Sequence, residues 1–136
     1  MIELSEKHTC EAVVLHCIDF RFRNMLNEYL HKRFLKGYDL ISVAGSVKRL
    51  VLDPPEHNFV LDQIRASHKL HEPKTIVLIQ HEDCGAYGGS KAFADFQEEL
   101  DTQKSELEKA EQILKKEFPQ PIEKYLARLS GELVSF

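Results

Sequence analysis

Four features are missing from this 136-residue sequence, and each absence removes a class of protein. No apolar run approaches the ~20 residues needed to span a bilayer, so no membrane partner is expected. There is no basic excess: 18 Lys and Arg against 22 Asp and Glu give a net charge of −4, which argues against a nucleic-acid binder built on a basic face. The three cysteines are an odd number, and the opening stretch Met1 to Cys10 is too polar for a signal peptide. A reducing, cytoplasmic location is therefore expected, where cysteines read as ligands or free thiols rather than as a disulfide framework. Repeats and low-complexity segments are lacking too, and the length suits one domain, 1–136, with one sizeable core.

What is present is a change of period along the chain. Glu11 to His16 reads as a short strand covered on both faces, since Val13, Val14 and Leu15 run without alternation. Phe22, Leu26, Leu30 and Phe34 then recur every fourth residue, the stripe of an amphipathic helix ending near Gly37. Tyr38 to Ala44 suits a second strand and Gly45-Ser46 a turn. Asp53-Pro54-Pro55 breaks the chain. A second helix is expected from about His57 to Leu70, with Phe59, Val60, Ile64 and Ser67 inward. Lys74 to Gln80 is an aliphatic, β-branched strand. Ser90 to Phe118 reads as largely helical with room for one break, its charges a solvated face supported by i,i+4 pairs. For the tail, Ile122 to Leu129 fits a helix or a strand, whereas Ser130-Gly131 before Glu132 to Phe136 favours a hairpin turn and a final strand. Alternating strands and helices predict an α/β fold: a mainly parallel four-stranded sheet with a short additional edge strand, helices packed on the sheet faces.

Two stretches carry chemistry. His16-Cys17-Ile18-Asp19-Phe20-Arg21 and His81-Glu82-Asp83-Cys84-Gly85 each follow an aliphatic strand. Ligand sites of parallel sheets lie at the carboxyl ends of the strands, where both stretches fall. Cys17, His81 and Cys84 supply the two thiolates and one imidazole that suit zinc, and a catalytic zinc keeps a fourth position for water. The gap between His81 and Cys84 allows one tight turn to present both, with Gly85 expected to turn the backbone away. Asp19 has two possible roles: a fourth ligand that shuts the site, or a bidentate partner of Arg21 that leaves it open. An open zinc lowers the pKa of its water to about 7.

Cys17-x-Asp19-x-Arg21 followed by His81-x-x-Cys84-Gly85 resembles the β-class carbonic anhydrases. Ser42-Val43-Ala44-Gly45-Ser46 and the tail after Ile122 resemble family segments as well, and the latter also favours the hairpin. The resemblance implies a zinc lyase that hydrates carbon dioxide to bicarbonate through zinc-bound hydroxide. It gives Cys17, His81 and Cys84 as Zn2+ ligands, Asp19 and Arg21 as the catalytic dyad, and a homodimer or multiple of dimers. Three departures accompany it. Ser42-Val43 replaces the family's Arg-Asn, the family's long N-terminal helical arm is missing, and Phe20 and Phe22 flank the dyad where smaller residues are usual.

Other readings stand beside this one. Cys17 taken alone is as well explained by a buried core thiol. His8 and Cys10 lie in a polar lead-in, where loosely held side chains are the default. His16, His31, His57, His68 and His71 show no ligand spacing and read as surface or helix residues, and Tyr87 reads as packing. His16-Cys17 with Arg23 matches the His-Cys-x5-Arg pattern of cysteine phosphatases, but the intervening residues hold no Gly to form a phosphate cradle, and Asp19 would repel a dianion. Two alternatives remain: a non-catalytic zinc protein whose fourth position Asp19 fills, and a hydrolase of a carbon–sulfur analogue of carbon dioxide.

Overall fold

The structure, a computed structural model, describes Leu4 and residues 6–136, so the opening expectation for residues 1–3 and 5 lies outside the described residues. Five strands form one sheet: β1 (Ala12–His16), β2 (Tyr38–Ser42), β3 (Thr75–His81), β4 (Ile122–Ala127) and β5 (Leu133–Ser135), in the order β2-β1-β3-β4-β5. The first four are parallel, and β5 pairs antiparallel with β4. This is the expected α/β sheet with its short edge strand, and the tail is the hairpin. Gly131 turns it at φ 92°, its amide bonded to the Arg128 carbonyl at 2.9 Å.

Among the described residues four α-helices cover the sheet: α1 (Arg23–Arg33), α2 (Lys48–Leu52), α3 (Phe59–His71) and α4 (Phe96–Lys115). Side chains alternate across a strand, so β1 and β3 feed two cores. Val13, Leu15, Ile76 and Leu78 pack against α2, α3 and α4 through Leu50, Leu61, Ile64, Leu107 and Leu114. Ala12, Val14, Val77 and Ile79 meet α1. The stripe predicted for α1 is the stripe buried there, Phe22, Leu26, Leu30 and Phe34 all lying in the second core. Among the described residues no helix is long and apolar enough to cross a membrane.

Two local expectations are corrected and a third is refined. Phe59 is 67% exposed: the Asn58 side chain caps α3 by accepting from the Leu61 amide at 3.0 Å, and this phase puts Val60, Leu61, Ile64 and Ser67 inward instead. The second strand stops at Ser42, because Gly45 (φ 78°) and Ser46 (φ 51°) turn the chain into α2, a helix too short to show a period in sequence. The break allowed within the Ser90 to Phe118 stretch falls between Ala92 and Phe96, where α4 starts. Asp95 caps it by accepting from the Glu98 amide at 2.9 Å, and the residues before it form a separate turn of 3-10 helix, Ser90–Ala92.

Candidate metal centre

Parallel pairing of β1 with β3, Leu15 opposite Leu78, brings the ends of both strands side by side. Cys17 leaves the end of β1, His81 closes β3, and Cys84 stands three residues on. One ligand atom from each of the three lies within 4.8 Å of the other two. His81 and Cys84 are buried and Cys17 is half-buried. The turn between His81 and Cys84 is made at Asp83, whose φ is +60°, a left-handed conformation that Asp tolerates better than most residues. Gly85 does not have the role expected of it: a side chain there would meet nothing within 4 Å. Gly45 and Gly89 are constrained instead: a Cβ on Gly45 would stand 3.0 Å from that of Ala86, and one on Gly89 3.0 Å from Asp83 Oδ1.

The imidazole of His81 is oriented from behind. Its Nδ1 lies 2.7 Å from the Glu82 carbonyl oxygen, which fixes Nδ1 as the donor and leaves Nε2 as the lone-pair nitrogen. Phe22 packs its ring 4.5 Å from the imidazole, so this residue is a buried support of His81 rather than a bulky intruder at the dyad. Nε2 itself is buried without a hydrogen-bond partner, an uncommon condition for such an atom. An unpartnered imidazole nitrogen beside two thiols is the donor set of a zinc-class ion, so the residues present fit the metal.

Asp19 faces Arg21 in this structure. Arg21 clamps the carboxylate, its Nε 3.1 Å from Oδ1 and its Nη2 2.7 Å from Oδ2, and the Arg21 amide adds a bond of 3.0 Å to Oδ1. Asp19 Oδ2 remains 3.8 Å from His81 Nε2. Arg21 is held in turn by Asp83, whose Oδ2 and backbone oxygen each accept at 3.0 Å. Asp83 is the participant that sequence reasoning missed, although it lies inside the second motif. A further layer was hidden entirely: Glu99, 2% exposed on α4, accepts from the Asp83 amide at 2.7 Å and from the Ser90 hydroxyl at 2.9 Å. In sequence it is one more charge on a helix full of them.

Charges around the centre follow from these bonds. Hydrogen bonds from Arg21 pull the Asp19 carboxyl down to about 2, outweighing the opposing effect of burial. The Cys17 thiol is also shifted far down, chiefly because the Cys84 thiol donates to it, and the same contact together with burial pushes Cys84 up. A cation bound between the two sulfurs would favour the thiolate form of both. Burial pulls His81 down, but the neighbouring Cys17 thiolate and the Glu82 carbonyl outweigh it.

A cleft of about 830 Å³ opens over the cluster, lined by Ile18, Asp19, Phe20 and Arg21 on one side and by Gly45 and Gly89 on the other. Phe20 is 81% exposed and forms part of this wall. Ser42 is not in the cleft. It faces a separate small pocket, where its hydroxyl is 3.5 Å from His16 Nδ1. Val43 packs against the first core. His16 is not a surface residue, as the end of β1 is covered, and burial lowers its pKa. Tyr87 serves packing, as expected. Its hydroxyl joins Gln80 at 3.3 Å and Glu106 at 3.1 Å beneath the loop, and Gln80 Nε2 donates to Gln103 at 2.8 Å.

This fold is that of the β-carbonic anhydrases. The β-carbonic anhydrase isoform I from Trichomonas vaginalis superposes with a TM-score of 0.65 at 16% identity, over 99% of this chain and 86% of that one. The β-carbonic anhydrase CcaA gives 0.56 at 15% identity over 96% and 80%, and CafA of Aspergillus fumigatus 0.53 at 14% over 96% and 76%. At such identities the likeness concerns the fold alone. Membership comes from sequence: residues 7–123 match the profile of the family described as "Putative carbonic anhydrase", and the chain belongs to that family. Two uncharacterized proteins are similar along most of the chain. That of Rickettsia bellii (strain RML369-C) is 29% identical over 88% of this chain and 79% of its own length, and that of Rickettsia conorii (strain ATCC VR-613 / Malish 7) 28% over 88% and 70%.

Proposed function

We propose that this chain is a zinc-dependent carbonic anhydrase-like lyase that interconverts carbon dioxide and bicarbonate. The observation that carries the reading is the Cys17–His81–Cys84 cluster facing a cleft while Arg21 holds Asp19 away from it. Cys17, His81 and Cys84 would hold the metal. Bound there, zinc supplies a water with a pKa near 7 and hence a nucleophile at neutral pH. The remaining work belongs to the chain's own residues. Asp19 stays ionised beside Arg21 and accepts a hydrogen bond from the nucleophile, which aims its lone pair. Arg21, braced by Asp83, prevents the carboxylate from taking the fourth position. Ile18 and Phe20 offer an apolar wall to a small uncharged substrate.

The same wall favours a second reading, hydrolysis of a less polar carbon–sulfur analogue at the same nucleophile. A non-catalytic zinc protein would instead need Asp19 to leave Arg21 and close the site. We also infer one domain for residues 1–136, a cytoplasmic location, and assembly into homodimers or multiples of dimers.

The test is metal content followed by stopped-flow kinetics. Protein purified without chelator is expected to carry at least one tightly held zinc that Cys17→Ser loses, and to hydrate carbon dioxide at neutral pH. Zinc without hydration of carbon dioxide would favour the analogue or the non-catalytic reading. No zinc dependent on Cys17 would overturn all three.

A further inference from the structure

A second group of metal-binding side chains lies at the opposite end of the sheet. Cys10 precedes β1, Asp39 is the second residue of β2, and His71 is the last residue of α3; one ligand atom from each lies within 4.8 Å of the others. We propose that Cys10, Asp39 and His71 form a second divalent-metal site, of the zinc class, that ties the segment before β1 to β2 and α3.

The three donors are thiol, carboxylate and imidazole, a mixed set that zinc takes and that magnesium or calcium, which prefer oxygen, do not. They are held in place before any ion arrives. The Cys10 amide donates to the His71 carbonyl at 3.0 Å, the Glu11 amide to Gly37 at 2.9 Å, and the Lys74 amide to Glu11 at 3.2 Å, so the backbone fixes both flanks of the cluster. Asp39 Oδ2 lies 2.7 Å from His71 Nδ1 and accepts from the Ser67 hydroxyl at 2.7 Å, an arrangement that orients imidazole and carboxylate together. The Cys10 thiol donates to the Ala12 carbonyl at 3.3 Å and also bonds with the Asp39 backbone.

Solvent can deliver an ion, because the Asp39 and His71 side chains are 30% and 36% exposed and Cys10 is half-buried. Burial and the nearby Asp39 charge both push the Cys10 thiol up, and a bound cation would reverse both effects as the thiol proton leaves. His8 is the nearest candidate for a fourth donor, its ring centroid 6.1 Å from that of His71 on the segment the ion would pin. The backbone ties among residues 10, 37, 71 and 74 give the ion a structural role, bracing the amino-terminal edge of the sheet far from the Cys17 cluster.

The experiment uses the full chain and zinc alone. Native mass spectrometry at rising zinc is expected to show two bound ions, falling to one in Cys10→Ser and in His71→Asn. Ser67→Ala should weaken only the ion held by Cys10, Asp39 and His71, by roughly tenfold, because it removes a bond that orients the ligating carboxylate. In the unsubstituted protein, zinc should slow iodoacetamide labelling of Cys10 at least tenfold, read on peptides cut after Glu11 so that Cys10 is parted from Cys17 and Cys84, and this readout needs no variant to fold. Saturation at one ion with unchanged Cys10 labelling would overturn the proposal, as would a second ion retained in full by both Cys10→Ser and His71→Asn. Either result leaves the Cys17 centre untouched, and loss of the Cys17 centre would not remove the second ion.

Discussion

The two ends of the sheet carry the same kinds of side chain in different settings. At the carboxyl end, Cys17, His81 and Cys84 are mostly buried, and around them stand an Arg21 clamp, an Asp83 brace and a buried Glu99. At the amino end, Cys10, Asp39 and His71 are partly exposed and rest on backbone bonds and one serine. Catalysis needs a ligand cluster whose fourth position is defined, and definition comes from the charged layers behind it. A structural ion needs only donors in place. On the proposed reading, the contrast separates a centre that does chemistry from one that holds an edge, and it can be broken at several points.

The largest effect should come from the carboxyl end. Cys84→Ser is expected to lose the zinc of that centre and with it all measurable hydration, read by metal analysis and stopped-flow kinetics; full zinc with activity would contradict the ligand assignment. Next is the support under His81. Phe22 is 3% exposed against the imidazole, so Phe22→Ala should cost about 3–5 kcal/mol of stability in urea titration, the range for emptying an aromatic site. Glu99→Gln keeps the shape but weakens two bonds to a buried carboxylate, and a loss of about 1–3 kcal/mol is expected. Hydrogen exchange should quicken at residues 83–90 and not at the amino end of the sheet; uniform quickening would mean that the two ends are not independent.

The smallest effect belongs to the amino end. Arg33 pairs with Glu123 and holds that carboxyl below its ordinary value. A carboxyl lowered in the folded state adds stability above its unfolded pKa, about 4.3, and that contribution fades as pH falls through the folded value. Glu123→Gln should therefore cost up to about 1 kcal/mol at pH 7, the range for solvent-screened pairs, and progressively less in acid. A cost that grows on acidification would reverse the sign assigned to the pair.

Much of this arrangement could be read in the residues, and the failures have physical causes. The stripe Phe22, Leu26, Leu30, Phe34 and the aliphatic runs of β1 and β3 announce their elements because burial selects their period. Cys17, His81 and Cys84 were legible as candidate ligands because each follows a strand whose neighbour the parallel rule predicts. What Asp19 faces was not legible, since a carboxylate two residues from both a ligand and an arginine suits either partner. Glu99 and the Cys10–Asp39–His71 group were invisible for another reason. Their members meet only across long separations, and no spacing rule links a lead-in cysteine to the end of a helix. Phe59 went wrong because a cap sets a helix's phase one residue more finely than hydrophobicity does.

The central claim is that Arg21 leaves Asp19 free to orient the nucleophile at an open centre. Its most direct test is stopped-flow hydration of carbon dioxide by Asp19→Asn, with zinc measured on the same sample. The account predicts zinc retained and the rate lowered by about 10²–10³, the scale for losing one oriented hydrogen bond in an active site. Full zinc with an unchanged rate would contradict it.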